Sequence, residues 1–159
     1  MKRIAFLVLV LATIVIADEE EQTLQEIASF YDADVQTTKG CLTEAGIVCK
    51  GWQNEKETWQ KIINDDDDEE TKESITVYGR FIACMLEKKD MMKDSKLVLN
   101  KILETFEKKE STLTKIESKD IITECVNIFN EDVELTRENR ALNFVICITR
   151  NKEISKDRK

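Results

Sequence analysis

The chain contains no histidine and no proline, only four glycines in 159 residues, and just 6% aromatic residues. Without histidine, the usual general base, zinc ligand and near-neutral pH switch are missing together. A helical disulfide-linked hydrolase of the phospholipase A2 kind, which needs a His–Asp pair, is thereby excluded. No glycine-rich phosphate loop, G-x-S-x-G elbow or C-x-x-C pair is present. The sequence therefore reads as a non-enzyme with no cofactor and no metal. The run Asp65 to Glu70 consists of six consecutive acids, but it lacks the spaced ligands and central glycine of an EF-hand. It is read as a solvated loop.

The absence of proline leaves nothing to break long helices, and abundant Leu, Ile, Lys and Glu favour them. Long apolar runs are also scarce: one exists, Ile4 to Ile16, preceded by Lys2 and Arg3 and followed by Ala17 and four acids. That order of basic, apolar and small residues is a secretory signal peptide, residues 1–17, too short for a bilayer span. No second uncharged run approaches the length of about twenty that a membrane helix needs. The expected mature chain starts at Asp18, is secreted and extracellular, and can keep disulfides. Removing Lys2 and Arg3 takes the basic count from 24 to 22 against 32 acids, a mature charge of −10. Such a surface repels nucleic acid and anionic membrane.

Apolar periodicity then predicts an all-α, single compact domain of about six helices, spanning 18–150. The first covers residues 20 to 38 through Leu24, Ile27, Ala28, Tyr31 and Val35, bending or ending between Gly40 and Gly46. A second fits Asn54 to Ile63, with Trp52 and Trp59 among its apolar positions. A third, Glu73 to Lys88, turns Ile75, Tyr78, Ile82, Met85 and Leu86 to one face. Asp94-Ser95 starts a fourth, Lys96 to Lys108. Ser118 is the expected N-cap of a fifth reaching Asn130. A sixth runs from Leu135 to Arg150, and the polar residues 151–159 form a disordered tail.

Five cysteines remain: Cys41, Cys49, Cys84, Cys125 and Cys147. Leaving one out in five ways, with three pairings each, gives fifteen arrangements of two bridges, and arithmetic alone does not choose. Two local patterns do more. Cys41-Leu42-Thr43-Glu44-Ala45-Gly46-Ile47 resembles the C-x-x-E-x-G-I around the first cysteine of insect odorant-binding proteins. Cys84-Met85-Leu86-Glu87-Lys88-Lys89-Asp90-Met91-Met92 resembles the C-L-L-E-K-x-G-L-M that follows their third. That family has six cysteines paired first to third, second to fifth and fourth to sixth. On its spacing, Arg80 and Glu138 occupy the second and fifth positions, so one whole bridge is absent, as in the reduced-cysteine (C-minus) branch. The resemblance implies disulfides Cys41–Cys84 and Cys125–Cys147, with Cys49 left as a free thiol or the point of a dimer; Cys49 in place of Cys41 as the partner of Cys84 would forfeit the E-x-G context. Arg80 and Glu138, oppositely charged, either pair where the bridge is missing or are simply two solvent-facing residues.

The resemblance further implies helices around an apolar cavity that binds odorants, pheromones, fatty acids or similar lipids. The expected lining is Tyr78, Phe81, Met85, Met91, Leu99, Leu103, Phe106, Ile122, Val126, Phe129, Phe144 and Ile148, with Tyr78 as polar handle. Each of these also fits an ordinary packed core. A chemoreceptor is an implied partner. Acid-triggered release would fall to carboxylates, near pH 4–5, in the absence of histidine. The alternative is a venom or salivary interaction protein on the same scaffold with no carrier role.

Overall fold

The computed structural model describes residues 21–29, 32–47, 61–62, 69–109 and 115–157. The predicted signal peptide, Cys49, most of the predicted helix from Asn54 to Ile63, and acids 65–68 lie outside the described residues. The fold is all-α with two disulfides, Cys41–Cys84 and Cys125–Cys147, as the family resemblance implies. Two compact units divide the chain, Met1–Glu55 and Lys56–Lys159.

The first unit holds helix α1, residues 21–29, and helix α2, Val35–Ala45. A single helix to residue 38 is expected, yet the chain breaks at Asp32, whose φ is +54°. Its N–H donates to the Ser29 carbonyl (3.1 Å), and the Ala33 N–H to the Ala28 carbonyl (2.8 Å). Asp34 then caps α2, accepting from the Thr37 N–H (2.8 Å) and hydroxyl (2.6 Å). These two hydrogen bonds, side-chain first, hold its carboxyl below the usual range. Gly40 lies inside α2 and breaks nothing; the stop is Gly46, at φ +79°. The Gly46 N–H meets the Thr43 carbonyl (3.1 Å) and the Ile47 N–H the Leu42 carbonyl (2.9 Å), a Schellman close. The motif C-x-x-E-x-G-I is thus, physically, the end of a helix: Gly46 supplies the left-handed residue and Ile47 follows it. Leu24, Ile27, Ala28, Cys41, Leu42 and Ala45 are the unit's buried apolar residues.

The second unit contains α3 (Glu69–Lys88), a hairpin of β1 (Met92–Lys93) and β2 (Lys96–Leu97), α4 (Leu99–Lys109), α5 (Lys115–Glu131) and α6 (Arg137–Asp157). Residues 61–62 are helical as well. Helix α3 starts four residues before the predicted Glu73. Residues 69 and 70, expected in a loop, belong to its first turn. The predicted helix start at Asp94-Ser95 is instead the tip of the hairpin. Both residues have positive φ, +50° and +60°, and Met92 pairs with Leu97 and Lys93 with Lys96. Helix α5 begins three residues before Ser118, and α6 continues to Asp157, through most of the segment expected as a disordered tail. No proline or glycine follows Arg150 to stop it.

Helix α3 ends as α2 does. The Asp90 N–H meets the Glu87 carbonyl (3.1 Å) and the Met91 N–H the Leu86 carbonyl (2.8 Å). Here the left-handed residue is Asp90, at φ +56°, where the family pattern has glycine. Aspartate tolerates this region better than most residues, yet still less well than glycine. Asp90→Gly should therefore raise the stability by about 0.5–1 kcal/mol, read as a rise in the urea midpoint at unchanged m-value. An unchanged or lower midpoint contradicts the assigned cause.

A candidate ligand-binding interior

Helix α3 packs on α6, α6 on α5, and α5 on α4; β1 lies on α3, and β2 on both α5 and α6. Every predicted lining residue belongs to these elements or to the link at Met91. Tyr78, Phe81, Met85, Met91, Ile122, Val126, Phe144 and Ile148 are buried, Phe81 completely. Leu99, Leu103, Phe106 and Phe129 are half-buried. Three of these four stand at i, i+4 and i+7 along α4, beside the buried Ile102, so one apolar stripe of α4 is partly accessible. Residues 81–86 are all buried, as expected of a helix surrounded by structure rather than lying on a surface. Met92, Leu97, Ala141 and Leu142 complete the apolar set. Val145 and Cys147, also on α6, are half-buried.

Two polar side chains that periodicity does not single out hold this interior together. Arg140 is 4% exposed. Its Nε donates to the Phe129 carbonyl (2.7 Å), Nη1 to the Ser95 carbonyl (2.5 Å) and Nη2 to the Asp132 carbonyl (2.5 Å). One guanidinium thus satisfies carbonyls at the C-terminal end of α5, in the link beyond it and in the hairpin turn. Asn130 does the complementary work: its Nδ2 donates to the Leu97 carbonyl and its Oδ1 accepts from the Leu97 N–H, both at 2.9 Å. The short β2 strand is therefore paired on its open side by a side-chain amide. A signal for both existed. Arg140 is four residues before Phe144, and Asn130 four after Val126, so each polar residue occupies an apolar register position.

The surroundings of Glu138 differ from expectation. A Cβ on Gly79 would stand 3.1 Å from the Glu138 Cβ and 3.0 Å from its carbonyl oxygen. Gly79 is buried and Arg80 exposed. The residue facing Glu138 is therefore Gly79, one position before Arg80. The expected Arg80–Glu138 ion pair is accordingly replaced. Arg137 Nε holds Glu138 Oε1 (3.0 Å), and its Nη1 reaches across to Glu87 Oε2 on α3 (3.1 Å). Partial burial would push the Glu138 carboxyl up. Its own backbone N–H near the start of α6, with the Arg137 hydrogen bond and charge, outweighs this and brings it below the ordinary range. The Glu87–Arg137 link is part-exposed and contributes about 0–1 kcal/mol, less than a covalent bridge. Gly79→Ala should destabilise by about 1–3 kcal/mol despite the roughly 1 kcal/mol gain in helix propensity, because the added methyl meets backbone. A more stable alanine variant in thermal melts would refute the close helix contact.

A shallow recess on α1, lined by Gln22, Gln25, Glu26 and Ser29, is open and polar and offers nothing to an apolar ligand. Among the described residues no cluster of His, Cys, Asp or Glu is arranged to hold a metal, and no helix is long and apolar enough to cross a membrane.

The described residues form helices closed by two disulfides around buried apolar side chains. Residues 31–151 match the model of the PBP/GOBP family, and the chain belongs to that odorant-binding family. Neither the curated proteins nor the solved structures give a match.

Proposed function

We propose that the protein is a secreted carrier that takes up small hydrophobic molecules and moves them through aqueous fluid. Membership of the PBP/GOBP family carries this reading, since it implies the binding of small hydrophobic ligands. The apolar groups on α3, α5 and α6 and the half-buried stripe Leu99, Leu103 and Phe106 support it, because desolvation is the force available to such a site. Burial of apolar ligand surface stabilises a complex by about 25 cal/mol per Å² before association costs. The methionines Met85, Met91 and Met92 suit weak shape selectivity. The N-terminal segment 1–17 would direct secretion. The lineage would be the reduced-cysteine type, with the Gly79–Glu138 approach and the Glu87–Arg137 pair standing in for the absent bridge. A chemoreceptor would be the natural recipient of the cargo.

Titration with the fluorescent probe N-phenyl-1-naphthylamine tests the carrier role. Saturable micromolar binding, with blue-shifted emission and displacement by an aliphatic competitor, is expected. The absence of saturable binding would instead favour an interaction protein that kept the scaffold alone.

A further inference from the structure

We propose that the hairpin tip and the link between α5 and α6 form one contact surface, whose partner is a second copy of this chain. Arg140 joins the two segments from beneath. Its Nη1 donates to the Ser95 carbonyl at the tip and its Nη2 to the Asp132 carbonyl in the link, both at 2.5 Å. Asn130 ties β2 to the end of α5 through Leu97. The Asp132 carboxylate accepts from the Glu134 N–H (2.9 Å) and closes the turn of the link. A surface held at so many points needs little further ordering when it associates.

The link presents Val133 at 86% exposure. Among the described residues one other large apolar side chain is exposed, that of Ile128. Ile128 lies two residues before Asn130, about 200° around α5, and so points away from the hairpin. Val133, by contrast, stands between charges of both signs. Lys93 and Lys96 are exposed and directly opposite one another across the hairpin, an unfavourable like-charge pair. Glu131 and Glu134, on either side of Val133 in the chain, are exposed too. Neither these lysines nor these glutamates are held in an ion pair among the described residues. A partner of one sign would be repelled by half of this surface. A second copy turned about a two-fold axis is not. The lysines of each copy then face the glutamates of the other, and the two Val133 side chains meet near the axis. A contact of this extent falls at the small, transient end of interfaces, below about 1,200 Å². The dimer is therefore weak and reversible, with a dissociation constant of about 0.1–1 mM.

The test is sedimentation velocity of the mature chain up to about 1 mM, in about 0.15 M salt, which screens the net charge of −8 beyond about 8 Å. Reversible, concentration-dependent dimerisation is expected. Val133→Asp should raise the dissociation constant about tenfold or more, while Ile128→Asp leaves it unchanged. The double variants Lys93→Glu/Lys96→Glu and Glu131→Lys/Glu134→Lys should each be monomeric alone, because each surface then carries a single sign. Mixed in equal amounts they should form a heterodimer, a result that misfolding cannot produce. A native chain that stays monomeric at about 1 mM, a dimer that persists on dilution, or charge variants that do not associate when mixed would each overturn the proposal.

Discussion

Replacing Arg140 by methionine should lower the stability by about 3–5 kcal/mol, the scale expected when a buried charged hydrogen-bond network is broken. The reason is one of counting. The change leaves the carbonyls of Ser95, Phe129 and Asp132 without their donor. Methionine fills similar space, so the loss is polar rather than a cavity. Arg140→Lys should recover only part of it, because an ammonium cannot reproduce the planar three-way fork. For a chain of this size the methionine variant should melt about 10 °C lower. Lys101→Met, at an exposed i,i+3 pair, should change stability by no more than about 0.5 kcal/mol. A drop of under about 1 kcal/mol for Arg140→Met in urea unfolding would show that Arg140 is not the keystone.

The second large effect is expected from the Cys125–Cys147 bridge, which closes a separation of 22 residues between α5 and α6. Replacing both cysteines with alanine should cost about 3 kcal/mol, chiefly through greater freedom of the unfolded chain. Both cysteines must be changed together, since a single replacement leaves a thiol able to exchange. The hydrogen bonds from Arg140 also link α6 to the end of α5, so the two predictions are coupled. The triple variant should lose other than the sum of the separate losses. A loss of under about 1 kcal/mol for the double alanine variant would mean that packing and Arg140 already fix the pair of helices.

The bodies of the helices were legible because their apolar residues recur at helical spacing, and the two disulfides followed from the family's cysteine spacing. The helix ends were not legible. Schellman closes at Asp32 and Asp90 and the turn at Asp94-Ser95 use left-handed residues without the glycine that announces them, so the hairpin resembles the start of a helix in the sequence. Gly40 misled in the opposite sense, since a glycine is informative only where the backbone needs positive φ. The interior's polar supports, Arg140 and Asn130, are not legible, because a charged or amide residue reads as exposed until its partners are known. The residue that meets Glu138 is one position before Arg80, and one residue turns about 100° around a helix. That rotation takes Arg80 into solvent and sets Gly79 against Glu138.

Desolvation of an apolar ligand is the central claim, and titration calorimetry of decan-1-ol into the protein at several temperatures measures it most directly. One-site saturation with a clearly negative heat-capacity change on binding is the predicted result, because burial of apolar surface carries that signature. Saturation with a heat-capacity change near zero, or no saturable heat at any temperature, would contradict it.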